Sequence, residues 1–201
     1  MSDAPGDPGL RDHLHLLGRF LRNPRTVGAV APSSAALARE MVAGLDLQHA
    51  RVVELGPGTG SLTRAIVPQL GPAARFLAID IDPTFIETLR QRWPQVDFVC
   101  GSAEHLPEFA AERGLSPVDH ILSGLPFASL PAPITRGILD GIERTLRPGG
   151  TFTTFQYVNA YGMSAAVAFR QDLSRRLGAE PTRRLVMRNI PPAWVLTWIK
   201  T

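Results

Sequence analysis

The sequence predicts an α/β fold, a mostly parallel sheet of seven strands flanked by helices, with its last two strands forming an antiparallel pair. Three observations carry that expectation. From Arg51 onward, short apolar and β-branched runs alternate with stretches of helical period, as strand–helix–strand units require. Residues 52–60 read Val-Val-Glu-Leu-Gly-Pro-Gly-Thr-Gly, a buried strand running straight into a glycine-rich turn. Near the C-terminus, two strand-like runs are separated only by residues 189–193, which suits an antiparallel pair.

The elements follow in order. Residues 1–9, rich in Pro, Gly and Asp, predict a disordered tail; 10–45 predict a helical segment that binds a membrane or acts as a lid, and 46–201 the main domain. Within 10–22, Leu10, Leu14, Leu17 and Leu21 recur at helical spacing with Phe20 at the flank. Arg11, Arg19 and Arg22 fill much of the rest, and Asn23-Pro24 ends this amphipathic helix. Pro32-Ser33-Ser34 offers a cap for a second helix to about residue 43, with Leu37, Met41 and Val42 inward. A strand over 51–55 precedes a helix over 61–70. A strand over 75–79 ends in Asp80-Ile81-Asp82, and Pro83 opens a helix that stops before Pro94. Strands follow over 96–100 and 119–122, then a helix over 132–146 stopped by Arg147-Pro148-Gly149-Gly150. A strand over 151–158, rich in β-branched and aromatic residues, leads to a helix over 161–177 and strands over 184–188 and 194–199.

Composition narrows the function classes. A chain of 201 residues with 44% apolar and 19% charged residues fits one soluble globular domain. The single cysteine, Cys100, excludes an internal disulfide framework and a cysteine-based zinc cluster. The histidines show no ligand spacing, so no metal is expected. No apolar run approaches the ~20 residues that cross a bilayer, and the N-terminus lacks a signal pattern, so a cytoplasmic protein is expected. The net charge of +3 is concentrated at the ends: Arg11, Arg19, Arg22 and Arg25 on one side, Arg175, Arg176, Arg183, Arg184 and Arg188 on the other. Such ends suit nucleic acid or an anionic membrane, or else are the solvated faces of helices.

The glycine turn carries the chemistry. Its pattern is Glu-x-Gly-x-Gly-x-Gly, with Glu54 ahead of Gly56, Gly58 and Gly60. The dinucleotide fingerprint spaces its glycines differently and faces a pyrophosphate, which a carboxylate would repel. A carboxylate beside backbone amides better suits a ligand with an amino group, a carboxylate and a sulfonium, namely S-adenosylmethionine. The motif resembles the cofactor loop of class I methyltransferases, whose sheet is Rossmann-like. Asp80, with Ile81 beside it, stands near the ~20-residue offset at which an acid accepts hydrogen bonds from ribose hydroxyls; Asp82 alternatively caps the helix at Pro83. At the third strand end, the resemblance implies an adenine contact from Ser102, the Ala103 amide or Glu104, the last of which could instead serve as a helix N-terminal acid.

After the fourth strand comes Ser123-Gly124-Leu125-Pro126-Phe127. It resembles the catalytic loop of amino methyltransferases, including the Asn-Leu-Pro-Tyr loop of ribosomal RNA adenine dimethylases. An amine must aim its lone pair at the sulfonium methyl while oxygens hold its hydrogens. Ser123 Oγ and loop carbonyls are the candidate acceptors, and Phe127 the aromatic for a cationic product; a plain turn closing a strand is the alternative. Serine in place of asparagine, an inserted glycine and an aromatic without a hydroxyl depart from the RNA enzymes, and the chain leaves little room for their RNA-gripping helical domain. Phe-Leu-Arg-Asn-Pro-Arg-Thr-Val-Gly-Ala-Val-Ala-Pro-Ser-Ser, starting at Phe20, and Asn-Ile-Pro-Pro-Ala-Trp-Val, starting at Asn189, are similar to a family of bacterial phospholipid N-methyltransferases.

That resemblance implies methylation of phosphatidylethanolamine, through mono- and dimethyl intermediates, to phosphatidylcholine, with S-adenosylhomocysteine as product. It implies a lipid substrate, no nucleic acid, and a monomer held peripherally on the inner face of the cell membrane. Arg11, Leu14, Leu17, Arg19, Phe20, Leu21 and Arg22 would seat the first helix in an anionic interface. His120 and Tyr157 are candidate proton acceptors without a clear claim. The alternatives are an RNA adenine N6-methyltransferase and a cofactor-binding protein without catalysis.

Overall fold

The computed structural model describes residues 34–201. The disordered tail expected over 1–9 and the membrane helix expected over 10–22 lie outside the described residues. In chain order the elements are α1 (Ala35–Val42), β1 (Arg51–Leu55), α2 (Thr63–Ile66), β2 (Arg75–Asp80), α3 (Pro83–Arg92), β3 (Asp97–Cys100), α4 (Leu106–Glu112), β4 (Val118–Ser123), α5 (Ala132–Thr145), β5 (Leu146–Tyr157), α6 (Ser164–Leu177), β6 (Thr182–Val186) and β7 (Ala193–Ile199). Seven strands form one sheet in the order β3-β2-β1-β4-β5-β7-β6. β1 to β5 pair in parallel, whereas β7 runs antiparallel to both β5 and β6. The expected sheet and its antiparallel terminal pair are both present.

The sheet is apolar on both faces, so each face needs a helical cover. One core gathers Leu106, Ile138, Leu139, Ile142, Phe169, Leu173 and Trp198 beneath α4, α5 and α6. The other gathers Leu37, Met41, Ile66, Ile86 and Leu89 beneath α1, α2 and α3. α1 is capped by Ser34, whose Oγ accepts from the Leu37 amide. This helix thus packs into the domain core.

Several boundaries differ from expectation. The helix expected over 61–70 is only Thr63–Ile66, followed by a 3-10 turn at Val67–Gln69. Pro68 has no amide hydrogen to continue the α-helical ladder. Residues 103–112, not assigned from sequence, form a 3-10 turn (Ala103–His105) and α4, burying Leu106 and Ala110. β5 begins directly after α5 and includes the Pro148-Gly149-Gly150 stretch expected to be a stop. Gly149 N donates to Lys200 O and Lys200 N to Gly150 O, so β7 draws this segment into the ladder. β6 lies two residues earlier than expected, leaving Arg188 in the hairpin turn.

Register aligns the strand ends. Leu55 pairs with Ile79 and Ser123, and Ser123 with Thr154, so the loops after β1 and β4 emerge side by side at the carboxyl edge. They then approach more closely than side chains would allow. A Cβ at Gly124 would stand 2.7 Å from the Gly56 carbonyl oxygen, and one at Gly56 would stand 2.6 Å from Leu125 Cδ2. Gly124→Ala is therefore expected to cost about 1–3 kcal/mol in urea unfolding, as overpacking does. Gly162→Ala is the control, since a Cβ there meets nothing within 4 Å; equal losses in the two variants would contradict the close approach.

Candidate active site

β1 delivers Glu54 fully buried at the centre of the sheet. Its Oε2 accepts from Thr63 Oγ1 at 2.7 Å, whereas Oε1, equally buried, has no partner among the described residues. Burial, aided by the negative charge of Asp80, pushes the carboxyl up to about 8; the Thr63 hydroxyl opposes this. A nearby cation would reverse that shift.

Asp80 closes β2 and ties the glycine turn to it. Its Oδ2 accepts from Gly58 N and its Oδ1 from Asp82 N, both at 2.9 Å. Burial raises its pKa and these amides pull it down. Asp82 instead caps α3, its Oδ1 accepting from Thr84 N at 2.8 Å. The three glycines of the turn have different tasks. Gly58, at φ +52°, would meet nothing within 4 Å if it carried a Cβ, so its surroundings are open. Gly60 faces α3, where a Cβ would collide with Leu89 and Trp93 at 2.7 Å; its glycine has a packing cause. Gly56 likewise has a packing cause, being pressed against Leu125.

A small cavity of about 20 Å³ opens between Gly56, Asp80, Ile81, Gly101, Ala103 and Leu125, backed by Ile138 of α5. It brings together residues from four strand ends. Ser102 and Glu104 do not line it: Ser102 Oγ donates to Glu104 Oε2 at 3.0 Å and accepts from Glu104 N at 3.3 Å. Glu104 turns toward α5, where its Oε1 leaves no room for a Cβ at Gly137. Sequence spacing overlooked Leu130 and Ile138, whose helical position alone did not show which face looks inward.

A second cavity, of about 130 Å³, lies between Gly124–Ser129 and the end of β5, reaching Gln156, Tyr157, Asn159, Ala160 and Met163. Gly124, Leu125, Pro126 and Phe127 line it. Two loop residues have further partners. Ser123 is fully buried, its Oγ accepting from Leu125 N at 3.2 Å and its carbonyl from Thr154 Oγ1 at 3.1 Å. Phe127 is 4% exposed and stacks on Phe169 with centroids 4.3 Å apart, so one ring face belongs to the core. The Gly124 carbonyl, by contrast, accepts from no described residue.

Neither expected proton acceptor fits well. His120 sits three positions back from Ser123, about 10 Å along the strand, with Nδ1 2.8 Å from Thr151 Oγ1. Tyr157 lines the larger cavity, yet burial raises its pKa, which disfavours a phenolate. The C-terminal arginines are less free than their sequence surroundings suggested. Arg176 bonds Asp140 and Glu143 of α5, Arg175 bonds Asp172, and Arg184 bonds Glu40 of α1. Arg183 instead lies over Trp194 at 5.8 Å.

The Glu54 environment makes a pH prediction. Native Glu54 keeps its proton to about pH 8, whereas an unfolded glutamate loses it near 4.5. Between those values the folded chain binds more protons, so its stability falls as pH rises, by at most about 1.4 kcal/mol per unit from this group. Glu54→Gln is expected to lack that loss. Urea unfolding of both proteins at about pH 5 and 8 reads the difference, and parallel changes would contradict the assignment.

Residues 52–150 match the family model of a methyltransferase domain. Over 188 residues, 92% of this chain and 94% of the relative, the sequence is 32% identical to an ornithine lipid N-methyltransferase of Singulisphaera acidiphila. A probable ribosomal RNA small subunit methyltransferase A of Methanospirillum hungatei is 32% identical over 128 residues, but these span only 44% of that protein. Among solved structures, 1,6-didemethyltoxoflavin-N1-methyltransferase of Burkholderia thailandensis, which holds S-adenosylhomocysteine, shares the fold at a TM-score of 0.65 and 24% identity, covering 100% of this chain and 93% of its own. These similarities show the family: the chain belongs to the class I S-adenosylmethionine-dependent methyltransferases, and S-adenosylmethionine is its cofactor.

Proposed function

We propose that this enzyme methylates the amino group of phosphatidylethanolamine, and of its mono- and dimethyl intermediates, toward phosphatidylcholine at an anionic membrane surface facing the cytoplasm. The observation that carries the reading is the cavity beyond Gly124, which shares Leu125 with the smaller cavity and is walled by Phe127, Met163 and other apolar groups. A small amine bearing an apolar chain suits it. The lipid N-methyltransferase relative, similar along nearly the whole chain, supports the same substrate class.

S-adenosylmethionine supplies an activated methyl on a sulfonium. The chain's residues hold and aim the reactants. The buried Glu54 Oε1 would take the cofactor's ammonium, Asp80 the ribose hydroxyls, and Ile81 with Ala103 the adenine face. The Gly124 carbonyl accepts an N–H of the substrate amine and so orients the lone pair for in-line attack. The proton leaves to water through the cavity mouth. Carbonyl acceptance persists while the amine still carries a hydrogen, which is compatible with successive methylations.

RNA adenine methylation is the second reading, favoured by the ribosomal RNA methyltransferase relative. Against it, Phe127, Phe152, Phe169 and Trp198 pack on one another in the core and offer no stacking platform for bases. Methyl-labelled S-adenosylmethionine incubated with the enzyme, phosphatidylethanolamine vesicles and ribosomal RNA separates the readings. Label is expected in the lipid. Label in RNA alone overturns the proposal, and absence of transfer anywhere favours a non-catalytic binder. Asp80→Ala is expected to weaken cofactor binding at least about tenfold in calorimetry, since a buried charged acceptor is lost; unaltered affinity removes Asp80 from the site.

A further inference from the structure

The carboxyl edge of the sheet carries an apolar rim that the chemistry described above does not use. Val186, Ala193 and Tyr157 lie in one row across β6, β7 and β5, so the β6–β7 hairpin ends beside the mouth of the larger cavity. Just beyond that row, Met187 is 67% and Ile190 86% exposed. Val158, Met163 and Leu185 are also exposed on this side, and Met163 lines the cavity itself. Large side chains left in water at one place mark a contact surface.

Charge identifies the partner. No Asp or Glu occurs in residues 155–163 or 185–193, which build this rim, while Arg188 does, and Arg183 and Arg184 lie farther back on β6. Arg184 is paired with Glu40. Arg188 stands exposed between Met187 and Ile190, and Arg183 lies over the Trp194 ring. The hairpin is also fixed in place: Asn189, 3% exposed, accepts from Ser34 N through Oδ1 and donates to Pro191 O through Nδ2. A rigid loop tip that alternates apolar and cationic side chains, with no acid near it in sequence, matches an anionic lipid interface.

We propose that the β6–β7 hairpin and the turn after β5 seat on an anionic bilayer, with Met187 and Ile190 in the headgroup–acyl boundary and Arg188 at the lipid phosphates. The mouth of the cavity then opens into the headgroup layer. This surface is separate from the helix expected over 10–22, and it rests on the lipid reading given above.

The test uses the full chain carrying Met187→Asp together with Ile190→Asp. Three quantities are compared with wild type: sedimentation with phosphatidylglycerol vesicles, the thermal midpoint without vesicles, and methyl transfer to dihexanoyl phosphatidylethanolamine dispersed in water. The expected result is a fall of about tenfold or more in vesicle partition, as two apolar contacts become charges, with midpoint and transfer unchanged. Unchanged partition overturns the proposal. So does a lowered midpoint with unchanged partition, because the two side chains then cover another part of the chain, such as residues 1–33. A tenfold fall in partition when wild type transfers methyl groups to no lipid keeps the docking surface and removes the lipid substrate. Arg188→Gln is expected to weaken partition at low salt and to flatten its salt dependence; identical salt profiles remove Arg188 from the contact.

Discussion

A carboxyl group with one oxygen bonded to Thr63 and the other bonded to no described residue lies at the centre of the sheet. Burying such a group costs far more when it is ionised than when it is neutral. The fold meets that cost by letting Glu54 keep its proton to about pH 8. The same burial sets up its use: an ammonium group entering beside Oε1 gains strength from the low dielectric and stabilises the carboxylate. The turn that follows depends on this arrangement, because Asp80, the second acid, holds the Gly58 amide and so fixes the loop directly beyond Glu54.

Two loops must meet for a methyl group to pass from cofactor to amine, and glycine makes the meeting possible. Gly56 and Gly124 bring the backbone after β1 against the backbone after β4 without an intervening side chain. Leu125 then borders both cavities. Ser123 and Phe127 flank this contact as anchors, one bonded into the loop and β5, the other stacked on Phe169. What faces the larger cavity is mainly backbone and apolar side chain. Such a site positions an amine and excludes water, which is what transfer from an already activated methyl requires.

Much of this was legible in the sequence, for physical reasons. The strand-to-glycine turn at 52–60 and the terminal hairpin follow from local rules of backbone conformation; the turn occurs where expected and the hairpin is present with its first strand two residues earlier. Asp82 as a cap and Asp80 as the strand-end acid also follow from local geometry. What was not legible depended on distant partners. Pro148-Gly149-Gly150 lies past the helix end as expected, but shows no strand until Lys200 pairs with it. Glu104 reads as a ligand for adenine until Ser102 and Gly137 account for it. Gly60 does not show its packing against Trp93 in the local sequence. Arg176 and Arg184 read as unopposed until α5 and α1 supply their acids. Phe127 belongs to the same group, since Phe169 lies far along the chain.

The central claim is that Glu54 is neutral in the free protein at neutral pH and becomes charged when the cofactor's ammonium is bound. Titration calorimetry of S-adenosylmethionine binding near pH 7, in buffers of different ionisation enthalpy, counts the protons exchanged. Wild type is expected to release close to one proton per cofactor bound, and Glu54→Gln to release none. The same proton count in both proteins would contradict the claim.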